Sequence, residues 1–455
     1  MIYQISGGQS KLKNYELKPT DANILKCLTN NTIDRNDDMY SLVKLLQNID
    51  SGCSIAINGS WGSGKTFFVK QTKMYIDVLN GRSDLSDDDK TKIKNINKGF
   101  DIEPFLTIYY DAWKCDNDND PILSLIYEIA TEYSLYQELQ DNDLRLVEDV
   151  ISNLIKFFCG VDFKELLEKN ENRNLLTSIK REKDIKCEID NFIAKLIGNN
   201  KKIIIFIDEL DRCRPSYAIK LLERVKHYFD NDKVIFVFSI NSSELQHTIK
   251  KFYGENFDGS RYLNKFFDVQ FELSKVDMKK YLRCIDLNVN NNLLDFVCLK
   301  IISMYNLSLR ESNRLITSVK MSVGEYFEKT YPSLPRYEGE CICCGYIVPL
   351  AIALRFISMD EYNKFIGGKN YAPLLELANN IGIHYFNILL SEGESFNSKD
   401  SNSKYVTLEY IIKQTYDAIF NIDYNGIIYG ENVGKCIFNI ESKEMVLNAL
   451  KGLQI

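Results

Sequence analysis

The sequence is poor in residue types that many enzyme sites require. It holds only three histidines in 455 residues (His227, His247 and His384), and their spacing fits no metal-ligand or catalytic pattern. The 12 cysteines are scattered along the chain, as expected for reduced intracellular thiols and not for a disulfide framework. The closest group, residues 341–344 (C-I-C-C), has no matching pair downstream. We therefore interpret it as a cluster of buried thiols, with metal binding as the alternative.

Excess positive charge and long apolar runs are also missing. The formal net charge is −7, which argues against a general nucleic-acid-coating surface and leaves only a local basic groove open. The first ten residues lack the basic and apolar regions of a secretory signal, and no run approaches the ~18 apolar residues of a membrane span. The nearest candidate, residues 346–357, contains Pro349 and Arg355, which predicts a buried helix. We therefore expect a cytoplasmic protein without a membrane span.

What the chain does contain is a phosphate-binding motif. Residues 59–66 read G-S-W-G-S-G-K-T and fit the pattern G-x-x-x-x-G-K-[ST]. The glycines let backbone N–H groups approach phosphate oxygens, the lysine reaches the β- and γ-phosphates, and the threonine hydroxyl ligates Mg²⁺. An apolar strand precedes the motif and a helix follows it, which is the setting it requires, although an ordinary glycine-rich turn is the alternative. The predicted nucleotide-binding residues are Gly59, Ser60, Trp61, Gly62, Ser63, Gly64, Lys65 and Thr66.

A second motif supplies the carboxylates that hydrolysis needs. The apolar residues Ile203–Ile207 predict a strand buried on both faces, and Asp208 follows at its C-terminal end, where ligands of open α/β sheets bind. There Asp208 can hold Mg²⁺ through water against the triphosphate. Glu209 comes next, so that it can orient and deprotonate the attacking water. An acidic turn after a core strand is the alternative interpretation of this pair taken alone.

Three segments resemble the KAP group of P-loop NTPases. They are residues 207–216 (I-D-E-L-D-R-C-R-P-S), 110–114 (Y-D-A-W-K) and 262–269 (Y-L-N-K-F-F-D-V), and the similarity covers roughly residues 34–320. It implies the additional-strand division of P-loop folds, with one strand between the loop strand and the carboxylate strand, and a helical lid. Many members carry transmembrane helices between the two motifs. This chain does not, so we expect a soluble, bacterial-type member.

The resemblance also implies further site residues. Lys265 lies where the family has a basic residue beside the last strand, and it would sense the γ-phosphate. Arg212 belongs to the family signature and would contact a neighbouring subunit or nucleotide, with a structural salt bridge as the alternative. Residues 307–314 resemble the lid segment whose arginine contacts nucleotide. Arg310 and Arg314 share one helix face, so either could be that residue, unless both are simply solvated.

These patterns predict an α/β fold, a P-loop NTPase core with a parallel sheet, followed by helices. Strands are expected at residues 54–58, 105–110, 203–207, 233–239 and 266–273, and strand signals nearly vanish after residue 274. We predict four regions: an N-terminal leader and helix (1–48), the core (49–274) with a helical insertion at about 131–200, a helical lid (275–330) and a mostly helical C-terminal region (331–455).

The function that we expect is an Mg²⁺-dependent ATPase acting as a regulatory or assembly switch. Glu209, Lys65, Lys265 and Arg212 are its predicted catalytic residues, and Thr66 and Asp208 are its metal ligands. ATP is the nucleotide that the resemblance implies, and phage-exclusion members suggest anti-phage defence with a homo-oligomer or a separate effector as partner. The alternatives are a nucleic-acid-stimulated motor, against which the acidic balance argues, and a scaffold with negligible turnover, against which the complete motif set argues.

Overall fold

The computed structural model describes residues 15–96, 99, 102–136, 175–197, 202–329, 335–396, 404–421 and 431–451. The chain divides into two compact units, one of Lys18–Val276 and one that combines Met1–Leu17 with Asp277–Ile455. The segments predicted as lid and C-terminal region therefore fall almost entirely in one unit. The central part of the predicted helical insertion, residues 137–174, lies outside the described residues.

The first unit is an α/β fold. Its elements in chain order are α1 (Asp21–Asn30), α2 (Asn36–Gln47), β1 (Cys53–Asn58), α3 (Lys65–Leu79), α4 (Asp87–Asn95), β2 (Phe105–Asp111), α5 (Pro121–Tyr136), α6 (Leu175–Ile197), β3 (Lys202–Asp208), α7 (Pro215–Tyr228), β4 (Val234–Ile240), α8 (Ser242–Tyr253), α9 (Gly259–Leu263) and β5 (Val269–Glu272). A single 3-10 turn, Leu210–Arg212, follows β3. The predicted strands are thus present, the last of them shorter than expected.

The five strands form one parallel sheet in the order β2-β3-β4-β1-β5. Strand β4 therefore lies between β1, which leads into the phosphate-binding motif, and β3, which carries Asp208. The register aligns the strand ends, because Asp208 pairs with Ser239 and Ser239 pairs with Ile57. This arrangement confirms the predicted parallel sheet with one additional strand between the two motif strands.

Burial explains why the central strands are continuous apolar runs. All residues of β3 and β4 are buried, as in a parallel sheet that is covered on both faces. Alternate side chains of β3 enter different cores, with Ile205 on one face and Ile204 and Phe206 on the other. The core that contains Ile204 and Phe206 also contains residues of α2 and α3. Asp208 shares the face of Phe206, so it lies on the side of the sheet that α3 covers.

Strand β2 is an edge strand, and side chains bond two of its outward backbone groups. The N–H group of Tyr109 donates to Oε2 of Glu132 at 2.8 Å. The carbonyl oxygen of Phe105 accepts from Nδ2 of Asn80 at 2.9 Å and from Arg82 at 3.4 Å. These side chains come from α5, which follows β2, and from the segment just after α3. They occupy two of the outward backbone groups at the open edge of the sheet.

The second unit is mainly helical, which confirms the predicted α-helical C-terminal region. Its elements are α10 (Met278–Cys284), α11 (Leu293–Met304), α12 (Leu309–Lys329), α13 (Pro335–Ile342), α14 (Val348–Ile357), α15 (Met359–Ile366), α16 (Ala372–Ile381), β6 (Glu394–Ser395), β7 (Lys404–Tyr405), α17 (Leu408–Phe420), β8 (Glu431–Val433), β9 (Cys436–Phe438) and α18 (Ile440–Lys451). A π-helical turn, Cys343–Ile347, joins α13 to α14. The short strands form two pairs, β6 with β7 and β8 with β9.

One helical stretch of the described residues, Gly339–Ile357, is long and apolar enough to cross a membrane. In the structure, 72% of its most apolar part is buried. Core helices of folded proteins have the same length and composition, so this stretch is weak support for a membrane span. Its burial agrees with the buried helix that the sequence predicts at residues 346–357.

Candidate nucleotide-binding site

The phosphate loop, residues 59–66, connects β1 to the first turn of α3. Gly62 and Gly64 have φ angles of 76° and 88°, a left-handed conformation that glycine adopts without steric cost. Gly59 lies so close to Ser63 that an added Cβ would meet its Oγ at 2.8 Å. Because α3 begins at Lys65, the unpaired N–H groups of its first turn lie at the loop, as in anion-binding helix N-termini.

Lys65 is buried against the loop that precedes it. Its ammonium group donates to the carbonyl oxygens of Gly59 and Ser60, at 2.7 and 3.2 Å, and the residue is 9% exposed. Burial lowers the pKa of Lys65, while the nearby carboxylates of Asp211 and Asp208 act in the opposite direction. When a nucleotide binds, the ammonium group can leave the two carbonyl oxygens and contact phosphate oxygens instead. The nearby carboxylates favour its charged form.

Asp208 ends β3 with both carboxylate oxygens engaged. The N–H group of Glu209 donates to Oδ1 and the hydroxyl of Tyr109 donates to Oδ2, each at 3.0 Å. Asp208 is 1% exposed. Its neighbour in the sheet, Ser239, is fully buried, and the Ser239 hydroxyl has no hydrogen-bond partner among the described residues. The sequence analysis assigns no role to Tyr109 or Ser239. The only feature of the sequence that could have indicated one is that each residue carries a hydroxyl group near the end of a predicted strand.

Glu209 follows Asp208 with a φ angle of 60°, which is uncommon for a residue other than glycine and turns the chain sharply. Its carboxylate forms an ion pair with Arg212, with 2.8 Å between Oε2 and Nη1. Burial raises the pKa of Glu209, and the Arg212 guanidinium opposes that rise. A glutamate with a raised pKa is a better base, but one that an arginine engages is not free to accept a proton from water.

Both tryptophans of the chain lie beside the 3-10 turn that follows Glu209. The indole N–H of Trp61, in the phosphate loop, donates to Oδ2 of Asp211 at 2.5 Å. The guanidinium of Arg212 lies 5.3 Å from the ring centroid of Trp113, within the range of a cation–π contact. The exposed fractions are 44% for Trp61 and 51% for Trp113. The phosphate loop and two of the resembling segments, 110–114 and 207–216, therefore meet at one surface.

Arg35 supports the phosphate loop, a contact that the sequence analysis missed. Its Nη2 donates to the carbonyl oxygen of Ser63 at 3.2 Å, and the residue is 3% exposed. Its Nε and Nη1 have no hydrogen-bond partner among the described residues, although Nε lies 3.9 Å from the Asp38 carboxylate. Burial lowers the pKa of Arg35. A single arginine outside any motif gives no sequence signal of such a contact.

The structure does not bring Lys265 to the phosphate loop. Lys265 precedes β5, whose first residue, Val269, pairs with Ile55 of β1. Because the two strands are parallel, residues before Val269 lie at the edge where the strands begin, and the loop lies at the opposite edge. The side chain of Lys265 is exposed there. Its expected contact with the γ-phosphate is not supported by this position.

Arg310 and Arg314 belong to the second unit, on α12, and both are exposed. The guanidinium of Arg314 lies 5.4 Å from the ring centroid of Phe356. The two arginines line a groove along α12 together with Glu16, Asn313, Thr317 and Ser318. The groove also holds the carboxylate of Glu16, and the lid role of these arginines stays a prediction.

Two of the three cysteines in the cluster are buried thiols, and the third, Cys341, is partly buried. Cys343 and Cys344 are buried, and burial raises the pKa of both thiols, that of Cys344 to about 12. The Sγ atom of Cys344 lies 3.4 Å from Sδ of Met445. Within the part of the chain that the structure describes, no group of three His, Cys, Asp or Glu side chains is placed to hold a metal ion.

The donor set around the phosphate loop fits a hydrated magnesium ion and a triphosphate. Mg²⁺ keeps several waters and is bound through one or two carboxylates together with phosphate oxygens. Thr66, in the first turn of α3, and Asp208, at the end of β3, supply a hydroxyl and a carboxylate. The buried hydroxyls of Ser63 and Ser239 have no hydrogen-bond partner among the described residues. A hydrated ion or a phosphate group would satisfy such atoms.

The parallel sheet with its additional strand, the glycine-rich loop before α3 and the acidic end of β3 define a P-loop nucleotide-binding protein. The family model described as "KAP family P-loop domain" matches residues 36–322. The chain therefore belongs to the KAP family of P-loop NTPases, as the sequence resemblance implies.

Solved structures of ORC proteins are distantly similar. The Aeropyrum pernix ORC2 protein in ADPNP-ADP complexes shares 12% identity, with 92% of this chain and 94% of that chain covered and a TM-score of 0.33. The Aeropyrum pernix ORC1 protein in complex with DNA shares 12% sequence identity, with 92% of this chain and 92% of that chain covered and a TM-score of 0.35. Drosophila ORC bound to DNA shares 10% sequence identity, with 99% of this chain and 96% of that chain covered and a TM-score of 0.32. No curated protein matches the chain.

Proposed function

We propose that this P-loop NTPase is an Mg²⁺-dependent ATPase that acts as a regulatory or assembly switch. Support for hydrolysis comes from the proximity of the groups that it needs. Burial lowers the pKa of Lys65, and the carboxylates of Asp211, Asp208 and Glu209 oppose that change. Trp61 of the phosphate loop also donates to Asp211, so the loop lysine and the acidic end of β3 share one site.

Each group has a task that follows from its chemistry. Lys65 neutralises charge on the β- and γ-phosphates, and Thr66 and Asp208 hold the magnesium ion. When bound, the ion neutralises charge that develops on the phosphate oxygens. Glu209 accepts the proton of the attacking water once its carboxylate is free.

The observation that carries the switch is the ion pair between Glu209 and Arg212. The carboxylate of Glu209 accepts from Arg212 at 2.8 Å, so it cannot serve water fully until the arginine moves. Arg212 also lies over Trp113, which is half exposed. A nucleotide or a protein that attracts Arg212, or that covers Trp113, would therefore change the availability of the base. Nucleotide turnover would then follow an event at the surface.

The family resemblance extends the proposal to ATP as the nucleotide and to anti-phage defence as the context. In that context the chain would act as a homo-oligomer or with a separate effector protein. Catalytic roles for Arg212 and Lys265 remain part of the proposal, although the position of Lys265 does not favour its role.

Phosphate release by the purified protein tests the proposed function. We expect release from ATP in Mg²⁺ and none in excess EDTA, with lower rates for GTP. Nucleotide binding without measurable release would instead support the scaffold alternative. Strong stimulation by added DNA or RNA would support the motor alternative.

A further inference from the structure

We propose that Tyr109 is a positioning residue that orients the metal-holding carboxylate of Asp208. This inference rests on the proposed Mg²⁺-dependent ATPase activity. The Tyr109 hydroxyl donates to Oδ2 of Asp208 at 3.0 Å, and the N–H group of Glu209 donates to Oδ1 at the same distance. One donor on each oxygen fixes the plane of the carboxylate. The remaining lone pairs stay available for metal-bound water.

The register of the sheet explains why a tyrosine can reach this carboxylate. Tyr109 on β2 pairs with Phe206 on β3, and Asp208 lies two residues further along β3 on the same face. With strands about 4.8 Å apart and a rise of about 3.3 Å per residue, such diagonal neighbours are roughly 8 Å apart, which is within reach of an aromatic side chain. The phenol spans the diagonal and places its hydroxyl on Asp208. A serine or threonine at position 109 would be too short for this contact.

Tyr109 is itself held from several directions. Its N–H group donates to Oε2 of Glu132 at 2.8 Å, and Oε1 of Glu132 lies 2.8 Å from the ammonium group of Lys73. The ammonium group of Lys70 lies 4.7 Å from the centroid of the Tyr109 ring. Lys70 and Lys73 both belong to α3, the helix that begins at the phosphate loop. Tyr109 therefore connects this helix, the edge strand and Asp208.

This geometry predicts a defect in metal use when the hydroxyl is removed. Hydrogen-bond partners of metal-binding carboxylates typically contribute ~10- to 100-fold to metal affinity or activity. In Tyr109→Phe the ring and its contact with Lys70 remain, and Lys65 and Glu209 are untouched. We expect the Mg²⁺ requirement to rise, and excess Mg²⁺ to restore turnover. Nucleotide affinity without metal should stay near the parental value.

The next residue offers a matched control. Tyr110 is fully buried, and it belongs to the core on the opposite face of the sheet. Its hydroxyl lies 2.5 Å from the Tyr217 hydroxyl and 3.1 Å from Oγ of Ser124. Tyr110→Phe therefore removes the same atom from the same strand without touching Asp208. It should lower the melting temperature and leave the Mg²⁺ requirement unchanged.

The experiment is an Mg²⁺ titration of the full chain and both variants with two readouts. One readout is phosphate release from ATP. The other is tryptophan fluorescence in the presence of a non-hydrolysable ATP analogue, since Trp61 and Trp113 both lie at the site. The midpoint for Tyr109→Phe should rise by ~10- to 100-fold in both readouts, with turnover at saturating Mg²⁺ close to parental. The midpoint for Tyr110→Phe should not move.

The proposal is overturned by an unchanged midpoint in Tyr109→Phe, by an equal shift in Tyr110→Phe, or by a loss of turnover that excess Mg²⁺ does not restore. A Tyr109→Phe chain that fails to fold also overturns it, because the hydroxyl would then be a structural group. If the parent shows no Mg²⁺-dependent turnover, the ATPase proposal fails. The fluorescence titration still decides the role of Tyr109 in that case.

Discussion

Arg212 and Glu209 form an ion pair across the 3-10 turn that follows β3, with 2.8 Å between Nη1 and Oε2. Under the proposed function, removing the arginine would have two opposing effects on hydrolysis. Freeing the base gains about as much as a partly exposed ion pair is worth, up to ~1 kcal/mol. Losing a cation that stabilises the transferring phosphoryl group costs roughly 10³- to 10⁵-fold in rate where an arginine acts in this way. The second effect is the larger.

We therefore expect Arg212→Ala to lower turnover while ATP affinity stays near the parental value. If Arg212 acts on a neighbouring subunit, mixing Arg212→Ala with Glu209→Gln should restore part of the activity, because hybrid interfaces would combine an intact arginine with an intact glutamate. Higher turnover in Arg212→Ala would instead show that the arginine only restrains Glu209. A chain that remains monomeric with ATP, without rescue on mixing, would exclude the action between subunits.

The pH dependence of turnover should report the surroundings of Glu209. Burial raises the pKa of Glu209, and the Arg212 guanidinium lowers it. The base works only when deprotonated, so turnover is lost as pH falls through the raised pKa. In Arg212→Ala this acid limb should move to higher pH, because the group that lowers the pKa is gone. The exposed neighbour Arg214 provides a control, since Arg214→Ala should leave the acid limb in place.

Lys65→Ala should abolish nucleotide binding or turnover. It removes the buried cation of the phosphate loop, which faces the part of the triphosphate where charge is concentrated. Binding of a fluorescent ATP analogue and phosphate release should be compared with the parent and with Lys251→Ala, which removes an exposed lysine of α8. Parental rates in Lys65→Ala would contradict the ATPase proposal.

Glu209→Gln should separate binding from hydrolysis. The amide keeps the shape of the side chain but is not a base, so ATP should stay bound while turnover falls by at least ~10²-fold. Single-turnover release of phosphate and retention of labelled ATP on the protein measure the two properties. If ATP affinity falls as severely as in Lys65→Ala, the role of Glu209 is misassigned.

Arg310→Ala and Arg314→Ala should each be tested for weaker nucleotide binding. The two guanidinium groups line one groove along α12. The family resemblance implies that one of them contacts nucleotide, so we expect its removal to weaken ATP binding. Arg283→Ala, which changes an exposed arginine of α10 in the same unit, is the control. Parental affinity in both groove variants would show that these arginines are only solvated.

Local sequence patterns predict the fold and the centre of the site, but not the contacts between distant segments. The phosphate loop and Asp208 are recognisable because each lies in a short motif beside an apolar strand. The contact between Tyr109 and Asp208 joins residues 99 positions apart and depends on the register of β2 against β3, which periodicity does not define. The support of Ser63 by Arg35 depends in the same way on how the chain folds back.

The position of Lys265 could not be predicted from the sequence because it depends on the direction in which β5 pairs with β1. Family resemblance identifies a basic residue next to β5, and the parallel pairing of Val269 with Ile55 determines at which edge of the sheet that residue lies. For Arg212 the resemblance identifies a residue of the signature. Its ion pair with Glu209 forms within the turn after β3, whereas its contact with Trp113 requires that turn and the segment after β2 to be placed together.

The side chains along β2 also affect how this protein behaves in concentrated solution. A strand from another molecule would pair with the outward backbone groups of an edge strand and start an aggregate. The N–H group of Tyr109 and the carbonyl oxygen of Phe105 are already bonded to Glu132 and Asn80. An approaching strand would have to displace these side chains at both positions. The glutamate that holds Tyr109 therefore also hinders edge-to-edge association of the sheet.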